Sequence, residues 1–343
     1  MPPTPASNPP APTPADSTDS PASFQRRYAA VVAELQKVVV GQRLVIRNAL
    51  ICLLIGGHAL VEGVPGLGKT LLVRTLGQAL DLQFSRIQFT PDLMPADIIG
   101  ATILVQDAAG ARSLEFQPGP LFSNIILADE INRATPKTQS ALLEAMGERS
   151  VTVGRHTHRL EEPFFVLATQ NPLEMEGTYP LPEAQLDRFA MNIMVESPEL
   201  PDLLAILDRT TGQIAGAVRA VLAAADVLEM QALVRDVPAA SHVKQYAARL
   251  VLATRPESAG APDVIKKFVR YGASPRGAQT LLLAAKACAL INGRPNAAFS
   301  DIKDFAVPVL RHRLALNFEG QAEGITRDAL VQAVLSAVPE AGD

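Results

Sequence analysis

The sequence is poor in cysteine, in long apolar runs and in surplus basic charge, and each shortage closes off a class of protein. Two cysteines, Cys52 and Cys288, stand among 343 residues, both in apolar, helix-patterned surroundings. They read as small core residues of a reducing compartment, which excludes a disulfide framework. The longest apolar run, near Ala49–Ile55, is too short to span a bilayer and follows Arg43 and Arg47. The N-terminus has neither the positive region nor the apolar segment of a secretory signal. Lys and Arg number 31 against 35 Asp and Glu, a net −4, without the electrostatic footprint of a nucleic-acid binder. The expectation is a soluble cytoplasmic protein with no nucleic-acid partner and no direct membrane insertion.

What is present suffices for folding: with 48% hydrophobic residues the chain can bury one sizeable core and a smaller one. Residues 1–23 are Pro, Ala, Ser and Thr with almost nothing large and apolar, and they read as a disordered tail. Helical patterns follow over Phe24–Lys37 and Arg43–Ile55, with Gly41 able to end the first.

The chain is organised around Gly63-Val64-Pro65-Gly66-Leu67-Gly68-Lys69-Thr70, a G-x-x-x-x-G-K-[ST] phosphate loop. Glycines let backbone N–H groups approach phosphate oxygens. Lys69 reaches the β- and γ-phosphates, and the Thr70 hydroxyl binds Mg²⁺. The context agrees: Leu60-Val61 reads as a buried strand before the loop. Thr70–Leu80 reads as a helix after it, whose N-terminus adds partial positive charge. Leu71, on its first turn, completes the cradle.

Further apolar strands are predicted over Gln83–Phe89, Ile125–Ala128, Phe164–Thr169 and Met191–Val195, with helices such as Thr138–Met146 between them. Unbroken apolar runs suit a parallel sheet covered on both faces. The fold class is α/β, a doubly wound parallel sheet over residues 24–198. Two inserts interrupt it, one over about 99–116 and a hairpin over about 150–160. From Pro198 the strand signal stops, and residues 199–343 read as a separate all-helical unit. Its helices are expected over Ala223–Arg235, Ser241–Thr254, Gly277–Ile291, Ser300–His312 and Arg327–Ala337.

Chemistry gathers at the predicted strand ends. Asn124–Ala128 delivers Asp129 and Glu130 toward the phosphates, because ligands in open α/β sheets sit at the carboxyl ends of strands. Asp129 suits the Mg²⁺ shell and Glu130 the attacking water. Asn171 ends the next strand, where it can touch the γ-phosphate or the water, or simply begin an Asn-Pro turn. Arg188 precedes the last strand, away from its own loop, where it either stabilises a transition state in a neighbouring subunit or forms an exposed ion pair with Asp187. Arg276, opening a helix, can reach a γ-phosphate or stand solvated. An N-terminal turn disfavours a cation and so points mildly to an anionic partner. Arg133 either serves a subunit interface or caps its strand. His156 and His158 read as an exposed hairpin face.

Long strings now match a known family in order and spacing: Gly63–Thr70, Asp129–Ala134, Pro136–Met146, Ala168–Pro172, Glu176–Phe189 and Ser274–Gly277. From about Val39 onward the chain resembles MoxR-family AAA+ ATPases. The resemblance implies a P-loop core with a C-terminal helical lid. It makes Gly63–Thr70 Walker A and Asp129-Glu130 Walker B. Asn171 would be sensor 1, Arg188 an arginine finger, and Arg276 sensor 2 acting in cis or in trans. Val40-Gly41-Gln42 would lie against the adenine. The inserts would face the pore of a homo-oligomeric ring, usually a hexamer. ATP and Mg²⁺ are the implied cofactors, and a protein client or a von Willebrand factor A domain partner is implied too. The activity expected is Mg²⁺-dependent ATP hydrolysis that remodels or activates a partner. A nucleotide-gated assembly protein and, less in keeping with the charge, a nucleic-acid motor are the alternatives.

Overall fold

In a computed structural model, residues 20–64, 66–106, 112–171, 177–211 and 217–340 are described. Most of the stretch read as a tail, and residues 107–111 of the first insert, lie outside them. α1 (Pro21–Val38) and α2 (Arg43–Leu54) precede β1 (Ala59–Glu62) and α3 (Lys69–Ala79). Next come β2 (Phe84–Gln88), α4 (Pro95–Ile99), β3 (Gly100–Gln106) and β4 (Arg112–Pro118). Then follow β5 (Ile125–Asp129), α5 (Pro136–Glu148), β6 (Ser150–Val153), β7 (His156–Arg159), β8 (Phe165–Gln170), α6 (Glu183–Leu186) and β9 (Met191–Met194).

α1 begins inside the segment read as tail, because Ser20 caps it: the Ser20 side chain accepts the Ser23 N–H at 3.1 Å, and Pro21 fills the first turn. The five-stranded sheet has the order β2-β5-β8-β1-β9 and is parallel throughout. Its strands apart from the edge strand β2 bury both faces, yet period two still sorts their residues. Ile125, Leu127, Phe165, Leu167, Ala59 and Val61 face one core with α1, α2 and α3. Ile126, Ala128, Val166, Ala168 and Leu60 face a second core with α5.

The C-terminal part contains α7 (Leu200–Thr211), α8 (Ala224–Asp236), α9 (Ser241–Ala253), α10 (Asp263–Phe268), β10 (Val269–Tyr271), α11 (Pro275–Ile291), α12 (Phe299–Leu310), β11 (Ala315–Leu316), α13 (Phe318–Ala322) and α14 (Arg327–Ala337). The α1/α2 core runs on into its Tyr246, Phe305 and Val334. It differs from the expectation in two ways. It is not all-helical: β10 and β11 form a short antiparallel ladder, too brief for a periodic signal. It also holds α7, a helix the sequence reading leaves unassigned. None of its residues is buried, and Leu200, Leu203, Leu204 and Leu207 are exposed.

Both inserts are hairpins, β3–β4 and β6–β7, and they touch. His158 is half-buried rather than simply exposed. Its ring stacks on Phe116 at 4.0 Å between centroids, with Phe122 edge-on at 6.2 Å, because the aromatic faces of the two hairpins meet there.

α5 is tied to the sheet through His58, which is buried. Its Nε2 faces the Met146 carbonyl at 3.2 Å and its Nδ1 accepts the Val166 N–H at 3.1 Å, so the neutral ring satisfies both. Burial pulls its pKa down to about 4. Between about pH 6.5 and that value the unfolded chain binds a proton that the folded chain refuses, so stability is full above the window and falls with pH. Buried His312, likewise pushed well down, acts in the same direction. Denaturant melts should therefore show a stability lower by about 1.2 kcal/mol at pH 5.5 than at pH 7 from His58 alone. A His58→Asn variant, less stable at pH 7, should show a shallower pH slope, and an unchanged slope would clear His58 of the effect.

Candidate functional site

Three strand ends and one helix start build a cleft. Parallel strands all finish at the same edge, so β1, β5 and β8 present their C-terminal residues side by side there. The lining is Gly66, Gly68, Lys69, Thr70, Leu71, Arg86, Asp129, Glu130, Thr169 and Asn171. Gly66 and Gly68 have φ of +86° and +76°, and a Cβ at either would meet nothing within 4 Å. The loop is therefore an open backbone cradle that only glycine adopts cheaply, as a phosphate site requires. Gly63 and Val64 lead into it from β1, while Pro65 lies outside the described residues.

Lys69 Nζ donates to the Gly63 carbonyl at 2.7 Å, curling over the loop. Burial draws its pKa below the ordinary lysine value, against the pull of Asp129 and Glu130. The bend before α2 is fastened to the same loop. Gln42, itself left-handed at φ 46°, donates from Nε2 to the Leu67 carbonyl at 2.6 Å. Gly41 has φ +63°, and a Cβ there would strike the Asp202 carboxylate at 2.6 Å. Gly41 and Gln42 thus lie between the phosphate loop and α7.

The acids are held by a small polar network. The Thr169 hydroxyl donates to Asp129 Oδ1 at 2.7 Å and accepts the Glu130 N–H at 2.9 Å. Glu130 sits at φ 56°, ψ 50°, a left-handed conformation costing about 1–3 kcal/mol. That bond to Thr169 helps fix it. Its Oε2 accepts from Gln88 Nε2 at 2.8 Å and Arg133 Nη1 at 2.9 Å. Asp129 Oδ2 accepts Arg86 Nε and Nη2 at 3.1 and 2.6 Å. Arg133 therefore holds a carboxylate of the cleft instead of capping a strand. Asn171 is buried in the wall. Thr70 and Asp129 offer hydroxyl and carboxylate oxygen, the donors a hard dication takes.

Arg86 and Gln88 carry roles that sequence reasoning missed. Their signal was the interruption of an apolar strand by polar residues two apart, on one face. Thr169 gave a weaker signal, since a buried hydroxyl inside an apolar strand must find a partner.

Arg188 and Arg276 stand elsewhere. β9 pairs with β1 from Ala59↔Met191 to Glu62↔Met194, so Arg188 lies before the strands start, below the sheet. Four strand residues, about 13 Å, separate that level from the phosphate loop's. Arg188 Nη1 donates to the Leu143 carbonyl at 2.5 Å and packs on Gly147. Arg276 keeps it company, with Nη1 3.8 Å from Asp187 Oδ2. The structure thus brings together Lys69, Thr70, Asp129, Glu130 and Asn171, and groups the two arginines apart from them.

Comparison with known proteins places this arrangement. Residues 58–191 match the ATPase family associated with various cellular activities (AAA), and residues 261–334 match an AAA lid domain. Chaperone MoxR1 of Mycobacterium tuberculosis is 42% identical over 308 residues, covering 90% of this chain and 80% of that protein. Protein MoxR of Paracoccus denitrificans is 35% identical, covering 92% and 97%. The chain belongs to the MoxR family of AAA+ ATPases. YeaC of Bacillus subtilis is a further relative, at 44% identity over 90% of this chain and 92% of its own. A crystal structure assigned as an ATPase, from Cytophaga hutchinsonii, superposes with a TM-score of 0.87 at 43% identity, covering 93% and 96%. This MoxR-family protein is accordingly an ATP-hydrolysing enzyme with a helical lid, and among the described residues no helix is long and apolar enough to cross a membrane.

Thr169→Val keeps shape but deletes the hydroxyl that bridges Asp129 and Glu130. It should cost about 1–3 kcal/mol of stability and lower turnover far more than nucleotide affinity. Turnover falling only in step with affinity would show the bridge to be dispensable for catalysis.

Proposed function

We propose that this ATPase works as a head-to-tail ring, a hexamer, in which each nucleotide held by one protomer is completed by arginines of the next. The observation that carries the reading is the placement of Arg188 and Arg276 on the edge opposite their own phosphate loop. A heterologous contact joins two different faces of one chain and generates a ring where its rotation closes. One face here would carry the loop and the other the two arginines. The unpartnered leucine face of α7, flanking the loop at Gly41, supports burial against a neighbour.

Within one protomer, backbone N–H groups of Gly66 to Leu71 and the Lys69 ammonium would hold the ATP phosphates. Gly41 and Gln42 would flank the adenine. Thr70 and Asp129 would hold Mg²⁺, which when bound screens the phosphate charge. Glu130 would orient a water and accept its proton as the water oxygen attacks the γ-phosphorus. The bond to the β–γ bridging oxygen breaks, giving ADP and inorganic phosphate. Before attack, Gln88 and Arg133 must release or share the Glu130 carboxylate. Asn171 would position the water or a γ-oxygen. Arg188 and Arg276 of the neighbour would meet the charge spread over the γ-oxygens. Arg276 accordingly acts in trans, which its contact with Asp187 supports. Chaperone MoxR1, a relative, supports a protein client, moved or matured by the hairpins β3–β4 and β6–β7. A partner bearing a von Willebrand factor A domain and a cytoplasmic setting complete the reading.

Arg188→Ala should bind ATP normally while its turnover drops about 10³–10⁵-fold, and mixing it with Lys69→Ala should restore part of that at mixed interfaces. An absence of recovery at every mixing ratio in phosphate-release assays would refute the trans arginine. Glu130→Gln should retain ATP through gel filtration and turn over about 10²–10⁴-fold more slowly. Normal turnover there would remove Glu130 from its role.

A further inference from the structure

Beside the two arginines lies a buried cation that no step above uses. Arg313, just after α12, has a side chain only 2% exposed. Its guanidinium is wrapped around the chain on both sides of Arg188. Nε donates to Asp187 Oδ1 at 2.8 Å, Nη2 to the Phe189 carbonyl at 2.7 Å, and Nη1 to the Ala190 carbonyl at 3.1 Å. Buried His312 adds a bond from Nε2 to the same Phe189 carbonyl at 3.0 Å. Burial depresses the Arg313 pKa against the attraction of Asp187, yet a guanidinium remains charged. The second oxygen of Asp187 reaches the other way. Oδ2 accepts the Ser274 hydroxyl at 2.8 Å, and Ser274 in turn caps α11 by accepting the Arg276 N–H at 3.1 Å.

We infer that Arg313, acting through Asp187, is a positioning residue that locks Arg188 and Arg276 into one rigid pair for delivery to a neighbour's ATP. The inference rests on the trans reading above. One carboxylate is shared by the cap of the Arg276 helix and by the cation that clamps the Arg188 loop. The two arginines therefore cannot be offered separately, and the lid moves with the finger of its own chain. A guanidinium suits this task because its planar fork satisfies a carboxylate and several carbonyls at once, which an ammonium cannot do.

The test uses full-length protein and compares Arg313→Gln, Asp187→Asn and Arg188→Ala, each alone and mixed with Lys69→Ala. Affinity for a fluorescent ATP analogue and thermal melting report folding of each variant. Arg313→Gln and Asp187→Asn should keep nucleotide affinity and lose about 10²-fold in kcat, since small misplacements of a catalytic group cost that much. Mixing with Lys69→Ala should restore turnover, because a Lys69→Ala neighbour supplies an intact pair. The triple variant Arg188→Ala/Arg276→Ala/Arg313→Gln should be no slower than Arg188→Ala/Arg276→Ala. If Arg313→Gln and Asp187→Asn turn over normally, or lose nucleotide affinity and are not rescued, the positioning role is overturned. If Arg313→Gln fails to fold, Asp187→Asn decides by the same criteria. Normal turnover by Arg188→Ala itself would instead refute the trans reading beneath it.

Discussion

Parallel pairing is the constraint from which the rest follows. Five strands running in one direction end along one edge, so the loop after β1, the acids of β5 and the amide of β8 meet without any long-range search. The same constraint sends the residue before β9 to the far edge. Cleft-lining groups that follow strands are gathered, and groups that precede strands are kept apart from them. Arg188 is set apart from its own phosphate loop by topology, whatever its side chain does. The distribution of chemistry between the two edges is thus settled before any side-chain contact is made.

Much of this was legible in the residues. The phosphate loop has a spacing that physics demands, and the strand preceding it is short, apolar and bounded. β5 and β8 announced themselves by unbroken apolar runs because both of their faces are covered. Less legible were contacts made between distant segments. That Asp187 would bond to Arg313, 126 positions onward, has no periodic signature. Arg86 and Gln88 lie in a stretch read only as a strand, and it is the neighbouring β5 that makes them partners of Asp129 and Glu130. The ladder of β10 and β11 escaped notice because two or three residues carry no alternation. The continuity of the core into the C-terminal helices was hidden for a related reason, since periodicity reports that a face is apolar but not which element covers it.

The cleft also shows how an active site tolerates conformations that folding alone would discard. Glu130 and Gln42 both take left-handed backbone without being glycine. Each is held by a bond made elsewhere: Glu130 by Thr169, and Gln42 by the carbonyl of Leu67. That strain is carried through bonds to β8 and to the phosphate loop. His58 ties α5 to β8 through a ring that stays neutral.

The stack of Phe116 on His158 has a mechanical meaning. The hairpin containing Phe116 is rooted in the chain leading to β5, and the hairpin containing His158 in the chain leading to β8. Those adjacent strands carry Asp129 and Thr169 near their C-terminal ends, where the two share a hydrogen bond. The stack between the hairpins and the bond between the strand ends are thus two junctions of one closed circuit of chain, like the joints of a linkage.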